Sequence, residues 1–176
     1  MFFIIMLFMR QFPLEVFISE LLHQQYLLLA VAESCSGGLL AHRLTNVPGS
    51  SDYFLGGVIA YHNQIKTQLL GVQPVTLTQF GAVSRQTVIE MAQGVRQVFR
   101  ADIGLSISGI AGPGGGTDGK PVGLTWIGLS ASELDDAWSY IWPGNRLEVK
   151  EQATEQALQI LADFLSSKRD CLKPKD

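Results

Sequence analysis

The chain has 176 residues, enough for one domain that buries about two thirds of its unfolded surface. Hydrophobic residues make up 47% and charged residues 16%, a balance that excludes a disordered chain. The formal charge is −3, and the scattered Lys and Arg residues form no basic face or aromatic-basic stripe, which excludes an ordinary nucleic-acid binder.

The chain opens on an apolar run, Met1 to Met9, ended by Arg10 and followed by Pro13. The run is about half the length of a membrane-spanning helix. It lacks the basic region and small-residue cleavage site of a signal peptide. Three readings stand: a loose extension upstream of a true start at Met9, a segment packed on the domain or a partner, or a membrane contact. Residues 1–12 are therefore set apart as an extension, 13–168 as the domain and 169–176 as a polar tail.

Leu14, Phe17, Ile18, Leu21 and Leu22 recur at helical spacing and predict an amphipathic first helix. Tyr26 to Ala32 is short and continuously apolar, as in a buried strand. Glu33-Ser34-Cys35-Ser36-Gly37-Gly38 follows, then Leu39, Leu40 and Leu44 in helical register, which reads as strand, tight turn, helix. Tyr53 to Tyr61 predicts a second strand and Asn63 to Leu70 a short helix. Ser84 is a candidate N-cap for a longer helix with Val88, Met91, Val95 and Val98 on one face. Asp102 to Ile110 alternates Ile103, Leu105 and Ile107 with Gly104, Ser106 and Ser108. After a glycine-rich loop come strands over Val122–Ala131 and Ala137–Trp142, then a final helix marked by Ala157, Ile160, Leu161 and Phe164. This alternation predicts an α/β fold, a single three-layer α/β/α sandwich. The two consecutive C-terminal strands imply an antiparallel pairing, so the sheet is expected to be mixed but mostly parallel.

Three polar clusters fall just past predicted strands: Ser34 to Gly38, Tyr61 to Lys66, and Ser108 to Gly119. In open α/β sheets, ligands bind outside the carboxyl ends of the strands, so parallel strands would bring the three together. Ser34 has the setting of a nucleophile on a tight turn, with N–H groups from about Cys35 to Gly38 placed to hold an oxyanion. The plainer alternative is a capped βα turn, with Ser34 or Ser36 as N-cap and the glycines there for packing. A serine needs a base. Of the three histidines, only His62 lies near a cluster, whereas Lys66 follows Tyr61 by one short turn. A lysine becomes a base when burial lowers its pKa toward neutrality; left exposed, it is simply a solvated helix residue.

Gly114 to Gly119 matches G-x-G-x-x-G, and Gly114 to Lys120 nearly matches a phosphate-binding loop. Both motifs must open a helix, and here Pro121 and Val122 open a strand, so neither applies. No His, Cys or carboxylate pair has metal-site spacing, and no metal or cofactor is expected. Two lone thiols, Cys35 and Cys171, fit a reducing compartment and hence a cytoplasmic protein.

Six ordered motifs closely resemble the CinA C-terminal domain family, whose members include stand-alone, PncC-like nicotinamide-nucleotide amidases. They are Ala32-Glu33-Ser34-Cys35-Ser36-Gly37-Gly38, Pro48-Gly49-Ser50-Ser51, Tyr61-His62-Asn63 with Lys66, Gly81-Ala82-Val83-Ser84, Ser106 to Pro113, and Lys120-Pro121-Val122-Gly123. The likeness runs from about Phe17 to Phe164. It implies hydrolysis of nicotinamide mononucleotide to nicotinic acid mononucleotide and ammonia in pyridine nucleotide salvage. It also implies Ser34 as nucleophile, Lys66 as base and Tyr61 as their partner. Cys35, Ser36, Gly37, Gly38, Ser108, Gly109 and Gly112 would then line the substrate, with Arg146 on its phosphate. Family members often carry a second arginine four residues on; here it is Lys150. Ser36 stands where threonine is common. A homodimer is compatible with the resemblance, and neither nucleic acid nor membrane is an expected partner. Two rivals remain: a hydrolase using Cys35 with His62 as base, and a non-catalytic competence- or damage-associated binding module.

Overall fold

A computed structural model describes residues 13–171, with the side chains of 169–171 left aside. The extension expected over residues 1–12 and most of the expected polar tail lie outside the described residues.

The first helix, α1, spans Leu14–Gln25 and leads into strand β1, Leu29–Glu33. Helix α2 (Leu39–Thr45), a 3-10 turn (Ser50–Asp52) and strand β2 (Phe54–Ile59) follow. Helices α3 (Asn63–Leu70), α4 (Pro74–Phe80) and α5 (Arg85–Phe99) come next. Strands β3 (Ile103–Gly109), β4 (Leu124–Ala131) and β5 (Leu134–Ile141) precede a long closing helix, α6 (Arg146–Cys171). None of the described helices is long and apolar enough to cross a membrane.

The five strands form one sheet in the order β2-β1-β3-β4-β5. β1 pairs in parallel with β2 and β3, while the β3–β4 and β4–β5 pairs are antiparallel, so β4 alone runs against the other four. The mixed, mostly parallel sheet is as expected.

Two cores cover its two faces. Leu29, Val31, Ile103, Leu105, Ile107, Ile127 and Leu129 face α1, α2 and α6. Ala30 and Ala32 face the other way, onto Leu70, Met91 and Val95. The residue sizes decide how close each layer sits. On the second face, a Cβ at Gly104 would collide with the Ala92 carbonyl of α5, and one at Gly128 with the Val88 carbonyl. Ser106, between them, donates to that Val88 carbonyl at 2.6 Å. The large–small alternation of β3 is thus a packing code: branched residues fill one core, and small ones admit a helix backbone.

Ser84 caps α5 as expected, its hydroxyl accepting from the Thr87 N–H, and Val88, Met91 and Val95 are fully buried. Val98 is not; it is 57% exposed. By that last turn Phe99 does the packing, its ring against Gly56 of β2. Tyr26, expected at the start of a strand, instead ends α1 in a left-handed turn and lies in solvent. β5 begins at Leu134, earlier than expected, because its antiparallel ladder with β4 runs up to the Ala131–Leu134 pair; Asp135 and Asp136 also meet Gln93 and Arg85 of α5. Helix α4 adds an element to those expected; Pro74 sits in its first turn, where a missing N–H costs nothing.

Candidate active site

Strands β1, β2 and β3 end at the same rim of the sheet, and their continuations carry the polar clusters. β1 delivers Ser34, whose N–H is fixed to the Ile107 carbonyl of β3 at 2.9 Å. β2 delivers Ala60 and Tyr61, with the Ala60 N–H on the Glu33 carbonyl at 2.7 Å. β3 delivers Ser108 and Gly109. Ser34, Cys35, Tyr61, Asn63, Lys66, Ala82, Val83, Ser108, Gly109, Ala111 and Arg146 wall one cleft of about 240 Å³.

At its floor, Lys66 Nζ donates to Ser34 Oγ at 3.1 Å and to the Ala60 carbonyl at 2.6 Å. Lys66 comes from α3, which His62 starts by accepting the Gln64 N–H on Nδ1. That first turn rotates the side chain at 66 back beneath the strand ends. Lys66 is 1% exposed, and among the described residues no carboxylate pairs with it. Burial therefore lowers its pKa to about 8, with the Cys35 sulfur a lesser opposing influence. An amine in that state is a usable base near neutral pH.

Cys35, next in sequence, is buried against Gly109, and burial pushes its thiol up to about 11. A thiol so high is protonated at neutral pH, and His62 already uses Nδ1 in the helix cap. The geometry favours the hydroxyl of 34 over the thiol of 35.

Tyr61 reaches the cleft, but its phenol oxygen accepts from Arg146 Nη2 at 2.6 Å. Lys66 spends its bonds on Ser34 and Ala60, and neither goes to this phenol. Arg146 Nη1 donates to the Gly112 carbonyl at 2.8 Å, so the guanidinium bridges the β2 and β3 loops. Arg146 opens α6, where Asn145 and Glu148 form a reciprocal cap. Asn145 Oδ1 accepts from the N–H of Leu147 and of Glu148, and Glu148 accepts the Asn145 N–H. Beside Arg146 the cleft opens into a groove of about 650 Å³ walled by Ala111, Pro113, Val122, Leu147 and Lys150 among others.

Ser36, Gly37, Gly38 and Gly112 do not wall the cleft itself. Ser36 is fully buried and its hydroxyl has no partner among the described residues. Gly37 lies beside the Lys150 ammonium and adopts a left-handed conformation, as does Gly38. Their N–H groups are already committed: Gly37 to the Ser34 carbonyl, Gly38 to Glu33. Ser108 lines the cleft with its hydroxyl turned to the Ala82 carbonyl at 2.7 Å.

Glu33 has a part in the site that sequence reasoning misses. Its carboxylate accepts N–H bonds from Gly38, Leu40 and Ala41 at 2.9, 3.1 and 2.9 Å, capping α2 from within the core. It is 1% exposed, and three charge-assisted bonds at a positive helix end offset the loss of water. The visible signal is a carboxylate ending a wholly buried strand, which has to find donors. Asn63, Ala82 and Val83 also wall the cleft, and in the sequence they stand out only as parts of the family motifs. Among the described residues, no group of three His, Cys, Asp or Glu is arranged to hold a metal ion.

Residues 11–165 match the family model described as the CinA C-terminal domain. A Moorella thermoacetica protein with a competence-damage inducible designation is 50% identical over 148 residues, 84% of this chain and 36% of that protein. A CinA-like protein of Chloroherpeton thalassium is 46% identical over 159 residues, 88% of this chain and 38% of that one. The chain thus spans little more than a third of the length of the curated relatives it matches. Among solved structures, a competence or damage-inducible protein from Enterobacter asburiae superposes with a TM-score of 0.84 at 34% identity, covering 86% of this chain and 96% of that one. A competence/damage inducible protein from Agrobacterium tumefaciens gives 0.79 at 37% identity, covering 88% and 98%. With sequence, fold and the ordered motifs in agreement over nearly all the described residues, the chain belongs to the CinA C-terminal domain family.

Proposed function

We propose that the protein is an amidohydrolase that converts nicotinamide mononucleotide to nicotinic acid mononucleotide and ammonia. The observation that carries this reading is the buried Lys66 amine, 3.1 Å from the Ser34 hydroxyl with its pKa lowered to about 8.

The chemistry follows from that pair. Neutral Lys66 takes the Ser34 hydroxyl proton as Oγ bonds to the carboxamide carbon, and negative charge collects on the carboxamide oxygen. As the C–N bond breaks, the lysine proton passes to the departing nitrogen, which leaves as ammonia. Water then attacks the seryl ester, giving a proton to Lys66, and the Oγ–C bond breaks to release the carboxylate and restore the hydroxyl. Arg146 at the head of α6, with Lys150 one turn on, suits a phosphate in the adjoining groove. Tyr61, through its bond to Arg146, helps to orient that guanidinium at the cleft.

Release of ammonia from nicotinamide mononucleotide by the purified protein, unchanged by a chelator, tests the reading. A covalent adduct on Ser34, seen by mass spectrometry, tests the route. Absence of turnover on this and related nucleotide amides would leave a binding module as the better account.

A further inference from the structure

The carboxamide oxygen that turns negative needs donors, and the turn after Ser34 has fewer than its sequence suggests. Glu33 and the Ser34 carbonyl occupy the N–H groups of Gly37, Gly38, Leu40 and Ala41, which leaves only those of Cys35 and Ser36 without an acceptor among the described residues of the turn. The segment between α4 and α5 also walls the cleft, and there the carbonyls of Phe80, Gly81, Ala82 and Val83 all accept from side chains. Lys120 Nζ donates to the carbonyls of Phe80 and Val83, the latter at 2.7 Å. The Gly81 carbonyl accepts from Ser84 and Thr87 hydroxyls at 3.0 and 2.8 Å, and the Ala82 carbonyl from Ser108 at 2.7 Å.

In a trans peptide the C=O of one residue and the N–H of the next point in opposite directions. Fixing the Gly81 and Ala82 carbonyls onto α5 and Ser108 therefore turns the N–H groups of Ala82 and Val83 the other way. Neither N–H has an acceptor among the described residues, and both residues line the cleft with Ser34 and Lys66. Two half-buried N–H groups without partners, on a backbone held by five side-chain donations, are a prepared place for an oxygen anion.

We propose that the Ala82–Val83 peptide N–H groups are the donors to the substrate's acyl oxygen, and that Lys120, reaching across from the glycine-rich loop, is the positioning residue that holds them. This rests on the serine reading above and goes beyond it. It also gives Lys120 a task that its near-match to a phosphate loop misattributes: it binds carbonyls of its own chain.

The probe is 3-pyridylboronic acid, whose boron accepts Ser34 Oγ while the hydroxyl proton passes to Lys66, leaving a tetrahedral anion where the intermediate would lie. Its affinity is measured by calorimetry for the parent, Ser34→Ala, Val83→Pro, Lys120→Met and Lys120→Arg. Val83→Pro deletes one N–H outright, and losing such a donor costs about 100-fold. Lys120→Met should weaken the adduct about tenfold, with the pH midpoint of binding unmoved and Lys120→Arg restoring most of it. Binding within about twofold of the parent in a folded Lys120→Met protein overturns the proposal; that result decides the matter even if Val83→Pro does not fold. Equal binding to parent and Ser34→Ala would instead overturn the serine reading, so the two failures are distinct.

Discussion

Lys66 Nζ and Ser34 Oγ stand 3.1 Å apart in a site where the lysine is 1% exposed, although 32 residues separate them in the chain. Burial, rather than a neighbouring cation, lowers the pKa of this amine. Turnover should rise with pH and level off above about 8 as Lys66 loses its proton. Ser34→Ala and Lys66→Met are each expected to lower kcat by about 10³-fold or more. A pH–rate profile with no inflection between about 7 and 9 would sink this assignment.

The same burial makes Lys66 a burden on the fold. Its pKa is lower when folded, about 8, than in the unfolded chain, where it is near 10.5, so the unfolded state binds more protons between those values. Stability should therefore rise with pH through that window. Relative to the parent, Lys66→Met is predicted to be more stable at pH 7 by up to ~3 kcal/mol, because each tenfold change in proton affinity is worth about 1.4 kcal/mol. That advantage should shrink toward pH 10.5. Urea unfolding at both pH values measures it, and a gap independent of pH would contradict it.

Glu33 supports the site from below. Replacing it with alanine leaves the N–H groups of Gly38, Leu40 and Ala41 without their acceptor inside the core. The expected loss is about 2–4 kcal/mol, and Glu33→Gln, which keeps one acceptor oxygen, should lose less. Thermal or chemical denaturation of the two variants would show whether that order holds.

Tyr61 and Arg146 form the pair most open to a kinetic test. Because the phenol meets the guanidinium at 2.6 Å, Tyr61→Phe should raise KM severalfold with a smaller change in kcat. Arg146→Ala is expected to raise KM for nicotinamide mononucleotide about 10- to 100-fold and to affect the phosphate-free riboside far less. A collapse of kcat in Tyr61→Phe would instead place the phenol on the proton path.

Cys35 is predicted to be a bystander. With its thiol raised to about 11 and buried, alkylating reagents should label it slowly near neutral pH. Cys35→Ala should keep most of the parent's turnover, since only a small buried side chain changes. Complete inactivation on matched thiol labelling would revive the Cys35 route.

Much of the fold was legible because its code is local. The alternation of Ile103, Leu105 and Ile107 with Gly104 and Ser106 records which face of β3 meets branched side chains and which meets a helix backbone. Ser84 announces the start of α5 through its own hydroxyl. Val98 and Tyr26 mislead because periodicity and apolar runs say nothing about where a sheet edge ends or where the chain must reverse.

By itself the sequence determined that Ser34 leaves a buried strand on a glycine turn, that Lys66 follows a second strand, and that each polar cluster falls just past a strand. Those are properties of neighbours in the chain. Tertiary structure alone decided what each group's partners are: Glu33 takes the helix N–H groups, Arg146 takes the Tyr61 phenol, and Lys120 and Ser108 take carbonyls between Phe80 and Val83. Donors and acceptors pair by distance in space, and burial, which sets the charge state of Lys66, exists only once the layers have closed around it.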